Sequence, residues 1–166
     1  IQKNKLSFRE DFIGYGMEDN EFGCQVMTAG INIKRCKASI KHMEGNDPFL
    51  FTNKIFHTAR DGVYKLKSVN KKAVMSLPYS YFFETDYIYK NILIKSLVVT
   101  FRLFFTIKIA KYVLKLLNFV DKYSLLYFPL IYKYVFACYY NEGVKKRKDA
   151  YKSINEVSNS WYSDNF

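Results

Sequence analysis

Two adjacent carboxylates, Glu18 and Asp19, follow a turn written Gly14-Tyr15-Gly16, and no other stretch of the chain packs acids, glycines and aromatics so densely. Carboxylates accept hydrogen bonds from sugar hydroxyls. One held against a hydroxyl can also remove its proton, which is worth about 10² to 10⁴ in rate. An aromatic ring between two glycines offers a flat stacking face on backbone that can approach a ligand closely. Gly14, Tyr15, Gly16, Glu18 and Asp19 are therefore candidates for holding and activating a hydroxyl-bearing acceptor. The same acids also have a plain structural use, because a helix macrodipole favours negative charge in its first turn.

The surrounding segments must position these groups. Phe22, Val26 and Ala29 recur at helical spacing, which predicts a helix over 18–29 with Gly30 as the residue that ends it. Lys5 to Phe8 is expected as a short strand or edge. Ile31-Asn32-Ile33 and Ala38-Ser39-Ile40-Lys41-His42 alternate, predicting two short strands, the second with His42 on the face of Ala38 and Ile40. Asp47-Pro48 reads as a helix start. Phe51, Ile55 and Thr58 or Ala59 then form an expected inward stripe, with His57 on the surface and Gly62 an end or weak point. Lys67 to Lys72 reads as a basic connector. From Tyr87 to Tyr140 the chain is expected to be helical, with breaks near Asn118–Asp121 and at Pro129.

Charge divides the chain. The net charge is +11, and between Ile88 and Lys148 twelve basic residues face only Asp121 and Glu142. That segment is also rich in Phe, Tyr, Leu and Ile. Lysines interrupt every apolar window long enough to span a bilayer, so a basic helical layer on an anionic membrane surface fits better than a crossing. On one straight helix these lysines fall on two faces. A helical core with lysines outside is the blander reading. Nucleic-acid binding is disfavoured, since long aliphatic runs separate the basic residues and no nucleic-acid motif is present. Cys24, Cys36 and Cys138 form no CxxC, which argues against a zinc cage or disulfide framework.

The run Phe8-x-x-x-Phe12-x-Gly14-Tyr15-Gly16-x-Glu18-Asp19-x-x-Phe22-Gly23, then Gly30, then His42, resembles the C-terminal half of inverting family-two glycosyltransferases of the GT-A fold. It is also similar to the galactosyltransferase C-terminal motif, which has tryptophan where this chain has Tyr15. The resemblance covers roughly residues 5 to 70. It implies an α/β GT-A part over 1–70, a helical basic extension over 71–148 and a flexible tail over 149–166. It implies Asp19 as general base, Glu18 and Tyr15 with Gly14 and Gly16 on the acceptor, and His42 as ligand to a divalent metal, manganese or magnesium, with Glu44 beside it. The implied partners are a nucleotide-sugar donor and a glycan or lipid-linked glycan acceptor, in the cytoplasm or peripherally on the inner face of the plasma membrane.

Such enzymes carry an Asp-x-Asp before this motif to hold metal and donor diphosphate, and the chain contains none. The expectation is therefore the C-terminal portion of a longer enzyme, turning over little or nothing alone. A non-catalytic membrane-surface module is the alternative.

Overall fold

The computed structural model describes residues 6–12, 16–34, 37, 48–84, 90–123 and 129–147. In chain order the elements are α1 (Glu18–Thr28), α2 (Pro48–His57), a π-helical segment (Thr58–Gly62), α3 (Val63–Val69), α4 (Lys71–Met75), α5 (Ser80–Phe83), α6 (Ile92–Phe101), a 3₁₀ turn (Arg102–Phe104), α7 (Ile107–Lys122) and α8 (Pro129–Lys145). All of them are helical, and no strand occurs among the described residues. The α/β GT-A expectation is overturned.

Local bonding explains why the described strand candidates fail. The Ile31 N–H donates to Val26 O and the Gly30 N–H to Met27 O, so the residues after α1 are taken up by its cap. Those two bonds, with Gly30 at φ 67°, form a Schellman ending, as the Gly30 position predicts. Leu6 to Phe8 is likewise committed to α1: Gln25 Nε2 donates to Ser7 O at 3.2 Å, and Phe8 stacks on Phe22 at 4.4 Å. The second strand candidate, Ala38 to His42, lies outside the described residues.

Helix α8 is the centre of the packing. Pro129 opens it, where its missing N–H costs nothing. From Val135 to Gly143 it is buried on nearly every side, as a helix enclosed by others must be. On one flank Ala137 and Tyr140 meet Ala59, Val63 and Leu66 of the π segment and α3. On the other, Val135, Cys138 and Tyr139 meet Phe56 of α2 and Ala110, Leu114 and Leu117 of α7. Burial pushes the Cys138 thiol up to about 11, which leaves it protonated and unreactive at neutral pH.

Helices α2 and α3 are one continuous helical run across the π segment. There the Val63 N–H reaches back five residues to Thr58 O. The Ala59 carbonyl accepts instead from Arg147 Nε at 2.9 Å. Arg147 also forks onto Glu84, donating from Nη1 to Oε2 at 2.9 Å and from Nη2 to Oε1, with Lys67 Nζ 3.4 Å from Oε2. This buried ion pair joins the end of α8 to the end of α5. The buried Tyr140 hydroxyl is raised first by desolvation and then by the Glu84 charge.

Two expected stripes differ from those observed. Of the stripe expected in α2, Ile55 packs on both core clusters and Ala59 is buried, while Phe51 is exposed and Thr52, Phe56 and His57 are inward as well. In α1 the buried residue is Glu21 and Cys24 packs on the core, rather than a Phe22–Val26–Ala29 face. The breaks expected near Asn118–Asp121 and at Pro129 agree with the end of α7 at Lys122 and the start of α8, and a further break, not expected, comes at Phe105–Thr106. That break is satisfied by α8. Asn141 Nδ2 donates to Phe105 O at 2.8 Å, and Tyr134 Oη donates to Phe104 O at 2.7 Å.

α8 approaches α2 so closely because of Gly143. A Cβ there would lie 2.4 Å from Phe56 O and 2.9 Å from Ala59 Cβ. Backbone oxygen cannot step aside as a side chain can. Gly143→Ala is expected to destabilise by about 2 kcal/mol, although alanine is the better helix former by about 1 kcal/mol. Thermal unfolding should show Tm falling by about 4–8 °C; an unchanged or raised Tm would mean that propensity outweighs the contact.

Candidate functional site

The loop into α1 has two consecutive left-handed residues, Gly16 at φ 82° and Met17 at φ 81°. For a methionine this costs about 1–2 kcal/mol, so surrounding contacts must hold it. Phe12, Met17 and Cys24 pack on the first core cluster. Asp11 accepts from Arg9 through both oxygens, at 3.0 and 2.8 Å, and lies 2.8 Å from Lys65 Nζ on α3. Hydrogen bonds from Arg9 and then Lys65 hold the Asp11 carboxyl well below the usual carboxylate range. Gly16 sits against Thr58, the first residue of the π segment, with space for no more than a tight Cβ 3.3 Å from Oγ1.

α1 starts directly from this loop, and no side chain caps it at Met17. Its first turn holds Glu18, Asp19 and Glu21, which suit the positive end of the helix dipole. The three acids have different surroundings. Glu21 is buried and accepts from Gln25 Nε2. Asp19 is exposed, with Oδ1 accepting from the Asn20 N–H at 2.8 Å and Asn20 Nδ2 at 3.1 Å. Glu18 is half-buried, and its Oε2 is shielded from solvent with no hydrogen bond among the described residues.

So Gly16, Glu18 and Asp19 are brought together at one loop–helix junction, with Asp19 facing water and Glu18 turned partly inward. Gly14, Tyr15 and His42 lie outside the described residues. Among the described residues no three His, Cys, Asp or Glu side chains gather into a metal site.

Directly beneath Thr58 is a cluster that the sequence reading missed. His57, Arg60 and Asp61 are all buried at the π segment, and His57 is not the surface residue its helix position suggested. Arg60 forks onto Asp61, with Nε to Oδ1 and Nη2 to Oδ2 both at 2.9 Å. Arg60 Nη2 also lies 2.8 Å from His57 Nδ1. Burial pushes the Asp61 carboxyl up, and the contacts with His57 and Arg60 outweigh it and hold it below the usual carboxylate value. The available signal was His-x-x-Arg-Asp, three polar groups within one helical turn between apolar positions. π segments recur at functional sites, and this one supports the Gly16 loop from below.

Comparisons with protein-family models, with characterised proteins and with solved structures gave no match.

Asp61→Asn is expected to cost on the order of 3 kcal/mol at neutral pH, because it leaves the buried Arg60 charge uncompensated. Because the folded-state value of Asp61 is lowered, its contribution is full above the unfolded carboxylate pKa of about 4. It is lost as pH falls through the lower folded value. Urea midpoints of the native chain and the variant should differ at pH 7 and converge at strongly acidic pH; a pH-independent difference would remove the ion pair from the explanation.

Proposed function

We propose that this chain supplies the acceptor-facing part of an inverting sugar-transfer site, with Asp19 as general base and Glu18 and Tyr15 holding the acceptor sugar. The observation that carries the proposal is the ordered motif from Phe8 through Gly14-Tyr15-Gly16-x-Glu18-Asp19 to Phe22-Gly23. The geometry of the junction supports it. A base needs solvent access to meet its substrate, and Asp19 has it. The left-handed Gly16-Met17 turn fixes where the loop ends and the helix begins.

In the proposed step an acceptor hydroxyl oxygen attacks the anomeric carbon of a nucleotide sugar. A new C–O bond forms, the bond to the nucleoside diphosphate breaks from the opposite face, and the hydroxyl proton passes to Asp19. The base stands in the first turn of a helix, so an α/β scaffold is not part of the proposal. The chain has no Asp-x-Asp, and donor binding is not asked of these residues. His42 is the residue nominated toward a divalent metal, which when bound would neutralise charge on the leaving diphosphate.

The test uses the whole gene product that carries this chain. Release of nucleoside diphosphate from UDP-hexoses is followed with a panel of oligosaccharide acceptors. Asp19→Asn should lower kcat by about 10² to 10⁴ with little change in acceptor KM. Tyr15→Ala should mainly raise acceptor KM. Near-native turnover by Asp19→Asn would end the assignment of that residue as base.

A further inference from the structure

Helix α6 is built almost entirely of apolar residues, yet none of its residues is buried. Leu93 and Leu97 are 72% and 71% exposed, and beyond its end Leu103 is 74% exposed. Isolated exposed leucines are ordinary, but a whole apolar helix standing in solvent is a contiguous patch, and patches of that kind mark interaction surfaces. The helix is not loosely attached. Asn91 caps its start, accepting from the Leu93 N–H at 2.9 Å, and Arg102 at its end donates to Asn141 Oδ1 on α8 at 3.3 Å.

α7, which follows α6 after the 3₁₀ turn, has three distinct faces. Ala110, Leu114 and Leu117 face the core. Lys108, Lys111, Lys115 and Lys122 stand at i, i+3, i+7 and i+14, which on a helix turning about 100° per residue is a single stripe. Beside it runs a second exposed stripe, in which Tyr112 is 77% exposed, with Leu116 and Phe119 following. Lys108, Lys111, Tyr112 and Lys115 line an open depression of about 270 Å³. Across 90–123 seven basic residues are opposed by Asp121 alone.

We propose that α6 and the outer face of α7 form a docking surface for an anionic phospholipid bilayer. The apolar side chains of α6 enter the interface, and Lys108, Lys111 and Lys115 with Tyr112 hold lipid phosphates. Three observations select this occupant. A row of lysines beside an exposed apolar stripe matches the layering of phosphate over acyl chain. A second copy of the chain would press like charges together, because a two-fold interface sets the same lysine-bearing patch against itself. Length also agrees: ten residues rise about 15 Å, half of what a crossing needs, which suits a helix lying in the interface, and no helix among the described residues is long and apolar enough to cross a membrane. The proposal does not depend on the transfer chemistry at Asp19.

The experiment is co-sedimentation of the chain with phosphatidylcholine vesicles, with and without phosphatidylglycerol. Binding to the anionic vesicles is expected, weakening as salt rises. The triple variant Lys108→Gln, Lys111→Gln, Lys115→Gln should bind about a hundredfold less tightly. The double variant Leu93→Asp, Leu97→Asp should bind at least about tenfold less tightly. All these residues lie outside the core clusters, so circular dichroism should show both variants folded. Equal binding to neutral and anionic vesicles, or parental binding by either variant, overturns the proposal. So does lipid-free self-association that the leucine variant abolishes, since the occupant would then be a second copy.

Discussion

The packing of α8 against α2 and the π segment is the constraint on which the rest of the structure depends. Its closest point is Gly143 over the Phe56 carbonyl. Because the backbones touch there, α8 can place side chains on both flanks at once, and it carries residues of both core clusters. The same approach brings Arg147 to the Ala59 carbonyl, which the wider π turn leaves available, and to Glu84 beyond it. It also brings Asn141 to the carbonyl freed where α6 and α7 part. Two irregular places in the backbone are thus satisfied by α8 and the residues just past its end.

The candidate site borrows its rigidity from this arrangement. Two left-handed residues in succession are costly for a free loop. Here the loop is fixed by apolar contact through Phe12 and Met17, by the Asp11–Lys65 ion pair, and by Gly16 against Thr58. Thr58 is itself placed by the π segment, whose charged cluster of His57, Arg60 and Asp61 is internally paired and enclosed. Burying such groups costs several kcal/mol per ion unless every partner is in place, so the turn is sensitive to small displacements. The acids of α1 inherit that position.

How much of this the sequence disclosed depended on whether the signal was local. The ends of α1 and the start of α2 were legible, because Gly30 and Pro48 act on their own backbone. So was the junction of loop and acids, since glycine spacing and adjacent carboxylates are written side by side. The inward face of α2 was legible only in part: Ile55 and Ala59 turn to the core as expected, but Phe51 is as apolar as Phe56, and the choice between them is made by α8 from far along the chain. The π segment has no composition of its own; it exists because α8 and Arg147 reward it. Alternation at Ile31-Asn32-Ile33 suggested a strand, but three alternating residues have no preference that can outweigh hydrogen bonds already offered by a helix end.

The break at Phe105–Thr106 shows how one such distant contact changes the meaning of a pattern. Read as a single helix, Lys95 and Arg102 fall on one side and Lys108, Lys111 and Lys115 on the other, which blurs any amphipathic signal. Asn141 and Tyr134 stabilise a chain that stops and turns there. After the turn the two halves are independent. Arg102 is drawn to Asn141 and over the Phe83 ring at 5.5 Å, while the α7 lysines align in one stripe. Periodicity was present throughout, but only within segments whose ends were set by side chains on another helix. The segregated faces of α7 are therefore a tertiary property, created where a buried asparagine satisfies a freed carbonyl.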